Sequence, residues 1–292
     1  MHVLVTGGFG FIGHHVVKSL KDKGHRVTIV DDCRFIKYGS PLYLDRGRRM
    51  DYGYDDWLNF DCSQIKVDDV DVIIHLACNP NQASFAKDTS FAWRNTINST
   101  LSLLTAYPNA KFVYISSSMV YGNWVGTVRE DDPLRPVNAY GKAKLACERL
   151  VQDIAKDWVI IRPTAVYGQG DNEDRVINKW INAAKNNEPI QVDDPLAKLD
   201  FTYVSDITQA IVNAAIAPVN KVIANVSYGE AVSLYDAAKI IVEATRSNSE
   251  IICGRDLPND MPRRGAMDIR TAIRFLGYTP KINLEDGIQL TI

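Results

Sequence analysis

Short apolar runs alternate with amphipathic stretches through the first half of the chain. The runs that begin at Val3 and Val27, and those over residues 70–76, 111–116 and 158–162, read as parallel strands. Between the first two, Phe11, Ile12, His15, Val16, Ser19 and Leu20 fall near one helical face and Gly24 follows as a stop, which predicts a helix over 11–23. Strand and helix patterns in alternation argue for a doubly wound parallel sheet. From about Val166 the alternation weakens, and 174–185, 205–216 and 233–245 read as helices separated by short strands. The expected fold is α/β, with a Rossmann-like doubly wound parallel sheet over residues 1–165 to which some later segments return. A smaller C-terminal α/β lobe over 166–292 interleaves with it and receives substrate. Residues 33–57, rich in tyrosine and arginine, read as a long surface excursion.

Glycines at 7, 10 and 13 follow the first run directly, in Val3-Leu4-Val5-Thr6-Gly7-Gly8-Phe9-Gly10-Phe11-Ile12-Gly13. Gly7 turns the chain out of the strand, Gly10 lets the backbone approach a phosphate, and Gly13 lets helix lie against sheet. The helix that follows offers N–H groups and a partial positive charge to an anion. The second run ends at Asp31, where a carboxylate accepts hydrogen bonds from both hydroxyls of a ribose and repels a 2′-phosphate. NAD is therefore expected as cofactor, with Asp31 and the adjoining Asp32 at the ribose. Arg34 pulls the other way, since an arginine just past the second strand also suits a 2′-phosphate.

Composition narrows the partners. With 292 residues, 46% of them hydrophobic, the chain is long enough for a substantial core. Its formal net charge of −2 carries no basic excess, so neither nucleic acid nor a membrane surface is expected, and a small molecule is. No leader pattern precedes the first strand and no apolar run reaches membrane-spanning length, so a cytoplasmic location is expected. Cys33, Cys62, Cys78, Cys147 and Cys253 are odd in number and lack paired metal-ligand spacing; they read as reduced thiols with no assigned role, and no metal is expected.

Tyr140-Gly141-Lys142-Ala143-Lys144 begins a helical pattern that puts Tyr140 and Lys144 on one face, with Lys142 pointing elsewhere as a surface residue. An ammonium beside a phenol favours phenolate, as does a nicotinamide ring, so Tyr140 is expected to serve as a general acid/base near neutrality. Such a pair also occurs as an ordinary exposed helix pair; the glycine motif upstream gives it meaning. The run that ends in Ser116-Ser117-Ser118 puts three hydroxyls at the carboxyl edge of the sheet, where open α/β sheets bind ligands.

Together these features resemble the extended short-chain dehydrogenase/reductase family, specifically its NAD-dependent epimerase/dehydratase group acting on nucleotide-diphosphate sugars. The resemblance spans nearly the whole chain: TGGFGFIG, Asp31, His75-Leu76-Ala77, SSSMVYG, YGKAK, Arg162-Pro163-Thr164-Ala165-Val166-Tyr167-Gly168, Asp200-Phe201-Thr202-Tyr203-Val204 with Asp206, and Pro262-Arg263-Arg264. It implies a catalytic hydroxyl four residues before Tyr121, hence a triad of Ser117, Tyr140 and Lys144. By position it also implies cofactor contacts from Phe9, Gly10, Phe11 and Ile12 at the pyrophosphate, Asp61 and Cys62 at the adenine, Leu76 and Ala77 along the fourth strand, and Pro163 near the carboxamide. His75 is expected to be structural and Asp206 to cap a helix. Substrate contacts are expected from Ser117, Ser118, Ala165, Arg175 and Arg263, and a homodimer through the helices around 85–107 and 139–154.

Departures from the pattern bear on the reaction. Relatives that eliminate water carry acids immediately after the catalytic hydroxyl, decarboxylating relatives carry a glutamate at the position of Met119, and the GDP-fucose synthase type carries a cysteine there. Ser118 and Met119 occupy those positions here. Epimerisation by transient oxidation to a keto-sugar, with hydride returned to the opposite face, fits best. An NAD(P)H-dependent reductase or dehydrogenase of a nucleotide sugar is the alternative, and a cofactor-binding homologue without turnover is a third reading. Ala165 stands where many relatives have a diphosphate-holding asparagine, Leu199 where an arginine is common, and Thr96 where an asparagine is; Arg175, Lys198, Arg263 and Arg264 are available to meet a diphosphate instead.

Overall fold

The computed structural model describes residues 1–31, 56–58, 67–78, 82–254 and 264–292, with backbone alone at 56–58 and 82–84. In chain order the first part comprises β1 (His2–Thr6), α1 (Phe11–Asp22), β2 (Arg26–Val30), β3 (Asp56–Leu58), β4 (Val72–His75), α2 (Gln82–Lys87), α3 (Thr89–Ala106), β5 (Lys111–Ile115), β6 (Thr127–Val128), α4 (Ala139–Ile154) and β7 (Trp158–Pro163). The second part comprises β8 (Val166–Tyr167), α5 (Val176–Lys185), β9 (Ile190–Val192), β10 (Lys198–Asp200), β11 (Thr202–Tyr203), α6 (Val204–Ile216), β12 (Val222–Val226), β13 (Ala231–Ser233), α7 (Leu234–Thr245), β14 (Ile251–Cys253), β15 (Ala266–Met267), α8 (Arg270–Leu276) and α9 (Leu284–Thr291).

The apolar runs line up in one seven-stranded sheet of order β12-β7-β5-β4-β1-β2-β3, with every pairing parallel. Side chains alternate between its two buried faces, as the period of a strand requires. Val3, Val5, Val113, Ile115, Val159 and Ile161 pack with α1 and α6 on one face. Leu4, Ile73, Phe112, Tyr114 and Ile160 pack with α3 and α4 on the other. The direction of winding reverses between β1 and β4, and open α/β sheets bind ligands at such a switch point, outside the carboxyl ends of the strands. After residue 166, α6 and β12 return to this layer, while α5, α7 and α9 pack together beside the short pairs β9–β14 and β10–β13. Among the described residues no helix is long and apolar enough to cross a membrane.

Two helix starts differ from the sequence expectation. Ser233 lies outside α7 as its cap, its side chain accepting from the Asp236 N–H. Asp206 is not a cap at all: α6 starts at Val204 without a side-chain cap, so Asp206 sits inside its first turn. From there its Oδ2 accepts the N–H groups of Lys281 (2.9 Å) and Ile282 (3.0 Å), tying α6 to the segment that leads into α9.

Beneath the switch point, fully buried His75 bridges Thr6 Oγ1 (2.7 Å from Nδ1) and Thr100 Oγ1 (3.0 Å from Nε2). Thr100 donates to the Thr96 carbonyl, so Nε2 carries the hydrogen and Nδ1 accepts from Thr6. Burial, with the Lys144 charge adding to it, pushes the imidazole down to about 3, which keeps it neutral. This agrees with a structural rather than basic role for His75.

In the unfolded chain His75 takes up a proton near 6.5 but in the fold only near 3, so the unfolded state binds more protons between those values and stability is lost as pH falls through that window. Urea unfolding of the wild type should therefore lose up to about 1.4 kcal/mol per pH unit more than His75→Gln over pH 6 to 4; parallel pH dependences would refute this. A Cβ at position 13 would collide with the Gly7 carbonyl oxygen and lie 2.8 Å from Gly8 Cα. Gly13→Ala should accordingly cost about 1–3 kcal/mol of stability by the same measurement, since both obstacles are backbone.

Candidate active site

The loop after β1 is closed by its own backbone. Gly7 N–H donates to Val30 O (2.8 Å), Gly10 N–H donates to Gly7 O (3.0 Å), and Gly7 has a left-handed φ of +72°. Gly7 also lies so close to the end of β4 that a Cβ would come within 2.9 Å of Ala77 N. Gly10 caps α1 without a side chain, so the start of this helix has no side-chain cap and faces the switch point. Asp31, just past β2, accepts the Phe9 N–H on Oδ2 (3.0 Å), which fixes a carboxylate beside the loop. Leu76 N–H bonds Thr6 O (3.1 Å) and Ala77 N–H bonds Thr6 Oγ1 (3.2 Å), lining the fourth strand's edge. Pro163 ends β7 at the same edge of the sheet, and Phe11 and Ile12 open α1. A helix end without a side chain in the way, with a carboxylate beside it, fits the pyrophosphate and ribose of NAD. Asp32, Asp61, Cys62 and Arg263 lie outside the described residues.

Ser117, Tyr140 and Lys144 come together at the carboxyl end of β5. Asn138 caps α4 by accepting the Gly141 N–H (2.8 Å), which starts the helix one residue before Tyr140. Gly141 is indispensable there, because a Cβ would lie 2.5 Å from the Met119 carbonyl oxygen. That approach brings Tyr140 to the Ser117 hydroxyl, which hydrogen-bonds the phenol. Ser117 caps the 3-10 turn Ser118–Val120, accepting from Met119 N–H (3.2 Å). Buried Lys144 donates to Ile115 O (2.8 Å), with its ammonium 5.8 Å from the Tyr140 ring centre. Lys142 is exposed on the opposite side.

Burial raises the Tyr140 phenol above its usual value, and the pull of Lys144 and the Ser117 hydrogen bond only partly offsets it. Lys144 by itself therefore does not bring Tyr140 to neutrality. Burial opposes the charge on Lys144 too, but Cys78 and Tyr140 outweigh that and push the ammonium up. Cys78, to which the sequence assigned no role, thus acts on Lys144 from the end of β4. No spacing rule connects a residue after β4 with one on α4, so the sequence held no signal for it.

A second cluster faces the site from the C-terminal half. Arg175 donates to Val166 O (3.0 Å), pairs with Asp171 (3.2 Å), and its charge reaches Tyr140. Arg264 lies beside it. Its Nε is buried with no hydrogen-bond partner among the described residues, and burial together with the Arg175 charge pulls the guanidinium down to about 10. Burial lifts Asp171 to about 6 against the pull of Arg175. Two guanidinium groups that repel each other, one of them with a buried unbonded Nε, suit an anion. Ala165 holds a left-handed φ of +40°, a conformation asparagine adopts more readily than alanine. Leu199 packs against the core, and exposed Lys198 reaches this region only through a backbone bridge to Arg264. Ser118 is buried next to Ser117, its hydroxyl also without a partner among the described residues. Thr96 is buried under α4, and its carbonyl accepts from Cys147.

Comparison with known proteins agrees with this geometry. A UDP-glucose epimerase of Bacillus subtilis strain 168, itself uncharacterized, is 30% identical over 310 residues, covering 99% of this chain and 96% of that one. The dTDP-D-glucose 4,6-dehydratase of Mus musculus is 28% identical over 312 residues, covering 99% of this chain and 87% of that one. The crystal structure of UDP-glucuronic acid 4-epimerase from Bacillus cereus, in complex with UDP-glucuronic acid and NAD, superposes with a TM-score of 0.86 at 27% identity, covering 100% of this chain and 98% of that one. The family model described as NAD dependent epimerase/dehydratase family matches residues 3–227, and with the glycine loop, the Ser117–Tyr140–Lys144 cluster and the parallel sheet in place, the chain belongs to that family.

Proposed function

We propose that this protein is an NAD-dependent epimerase of a nucleotide-diphosphate sugar, working through a keto-sugar formed at Tyr140. The observation that carries the reading is the set of groups around the Tyr140 hydroxyl. Lys144, Cys78, Ser117 and Arg175 act on it most strongly, and none of these is a carboxylate. Ser118 and Met119 fill the positions from which relatives that dehydrate or decarboxylate supply an acid; Met119 turns its sulfur toward the Asn138 amide (3.8 Å). A site with one proton-transfer group supports reversible oxidation at one carbon and no elimination.

NAD, when bound, supplies the hydride acceptor and hydride donor, and its positively charged ring favours phenolate beside it. The chain's own residues do the rest. Tyr140 takes the proton of the sugar hydroxyl as the carbonyl forms and returns it as the alcohol re-forms. Ser117 donates to the oxygen on which charge develops, and Lys144, anchored on Ile115 O, holds positive charge behind Tyr140. The keto-sugar is planar at the oxidised carbon, so return of hydride to its other face inverts the configuration. Arg264 and Arg175 hold the diphosphate while the sugar turns. The complexes of the Bacillus cereus 4-epimerase and of the similar structure MoeE5 with UDP-glucuronic acid and NAD support a UDP-sugar as the first substrate to try. The α3–α4 pair, with Phe91, Leu101 and Ile154 exposed, is the surface on which we infer that a second copy packs.

The purified protein, given no added cofactor, should convert one member of a panel of UDP-, dTDP-, GDP- and CDP-sugars to an isomer of equal mass, read by chromatography and proton NMR. A product lighter by one water would make it a dehydratase, and turnover only with added NAD(P)H a reductase. Tyr140→Phe should remove nearly all turnover, at least about 10²-fold, while NAD stays bound. Arg264→Gln should raise KM for the nucleotide sugar by roughly 10- to 100-fold with NAD retention unchanged, in line with the loss of a charge-assisted hydrogen bond. An unaltered KM would remove Arg264 from the substrate site.

A further inference from the structure

Arg162 is the largest fully buried side chain among the described residues. Its guanidinium grips Glu148 through two parallel bonds, Nε to Oε1 (3.0 Å) and Nη2 to Oε2 (2.7 Å), and both side chains are 1% exposed. A buried ion pair is poor evidence of stability, since apolar residues of equal volume often do as well. Its hydrogen bonds indicate a different use, because three of the four run to α4, which carries Tyr140 and Lys144, and to the residue that follows the Ser117 turn.

Glu148 lies on α4 one turn beyond Lys144 and two beyond Tyr140, on the same face. Its Oε1 also accepts the hydroxyl of Ser116, the residue immediately before Ser117. Arg162 precedes Pro163 on β7, and its Nη1 donates to the Tyr121 hydroxyl (2.8 Å) and the Glu130 carbonyl (3.0 Å). Tyr121 follows the turn that Ser117 caps, and donates in turn to Asn225 Oδ1 on β12 (2.7 Å). The Asn225 N–H closes the circuit on Glu130 Oε1 (2.8 Å).

We propose that the buried Glu148–Arg162 pair is a positioning element that, through Ser116, sets the Ser117 hydroxyl against Tyr140. Ser117 is preceded by two residues tethered to α4: Ile115, whose carbonyl accepts from Lys144, and Ser116, whose hydroxyl donates to Glu148. Both tethers come from the helix that carries Tyr140, so they fix the two catalytic oxygens relative to each other. Ser116 forms no part of the proton transfer; it acts by where it holds the next residue. The consequence is measurable at Tyr140. Lys144, the Ser117 hydrogen bond and Arg175 favour its phenolate, while burial and Cys78 oppose it. Releasing Ser117 removes one favouring contact and leaves the others.

The test is Ser116→Ala, which deletes the tether and leaves the ion pair whole, with Ser227→Ala as a control that removes a comparable buried hydroxyl, the one bonded to Asp200 (2.8 Å). Ultraviolet difference titration against Tyr140→Phe isolates the ionisation of Tyr140 in NAD-loaded protein. Ser116→Ala should move that ionisation to higher pH and Ser227→Ala should leave it in place. In turnover, Ser116→Ala should lower kcat by roughly 10- to 100-fold with KM nearly constant, because the defect is in alignment and not in binding. Glu148→Gln, if it folds, should show the same upward titration shift. An unmoved Tyr140 titration in Ser116→Ala overturns the proposal, whatever happens to melting temperature or rate. The proposal rests on the epimerase reading only for kcat: should no sugar be turned over by the wild type, that reading fails while the titration still decides this one.

Discussion

Helix α4 approaches the carboxyl end of β5 so closely that the first turn of the helix has room only for glycine at position 141, against the Met119 carbonyl. Everything chemical in the site depends on that contact. It puts the Tyr140 phenol at the Ser117 hydroxyl, sends the Lys144 ammonium under the strand to Ile115 O, and leaves Glu148 to meet Ser116 one turn further on. The Asn138 cap fixes where the helix begins, and therefore which of its residues face the sheet. A helix starting one residue earlier or later would rotate Tyr140 by about 100° out of the site.

The charge balance around this contact is set by burial as much as by partners. Desolvation holds His75 neutral, so it serves as a buried bridge between Thr6 and Thr100. Desolvation also works against phenolate at Tyr140 more strongly than Lys144 works for it. Positive charge brought next to the phenol would shift that balance back toward phenolate.

The substrate side follows a different logic. Arg264 is half-buried, its Nε buried and unsatisfied near a second guanidinium, an arrangement that carries a desolvation and repulsion penalty in the free protein. An anionic ligand would satisfy both groups. Ala165 holds a left-handed φ and Leu199 packs against the core, so neither side chain offers a charged or polar contact there.

Much of the architecture was legible in the sequence because it rests on local rules. Alternating apolar runs and helical faces determined the parallel sheet, the glycines at 7, 10 and 13 determined the loop, and four-residue spacing put Tyr140 and Lys144 on one helix face. Asp206 was misread because a residue inside the first turn of a helix looks, in sequence, like one just before it; only the position of the 281–282 backbone shows what its carboxylate holds. Cys78 against Lys144, Glu148 against Arg162, and Arg264 against Arg175 were decided by tertiary structure alone. In each pair the partners sit on different elements, and their meeting depends on the order in which strands lie in the sheet and on how helices settle against it. Periodicity along a chain specifies which face of an element is buried. Which side chains then meet across that face, and what burial does to their charges, is specified only when the layers are packed.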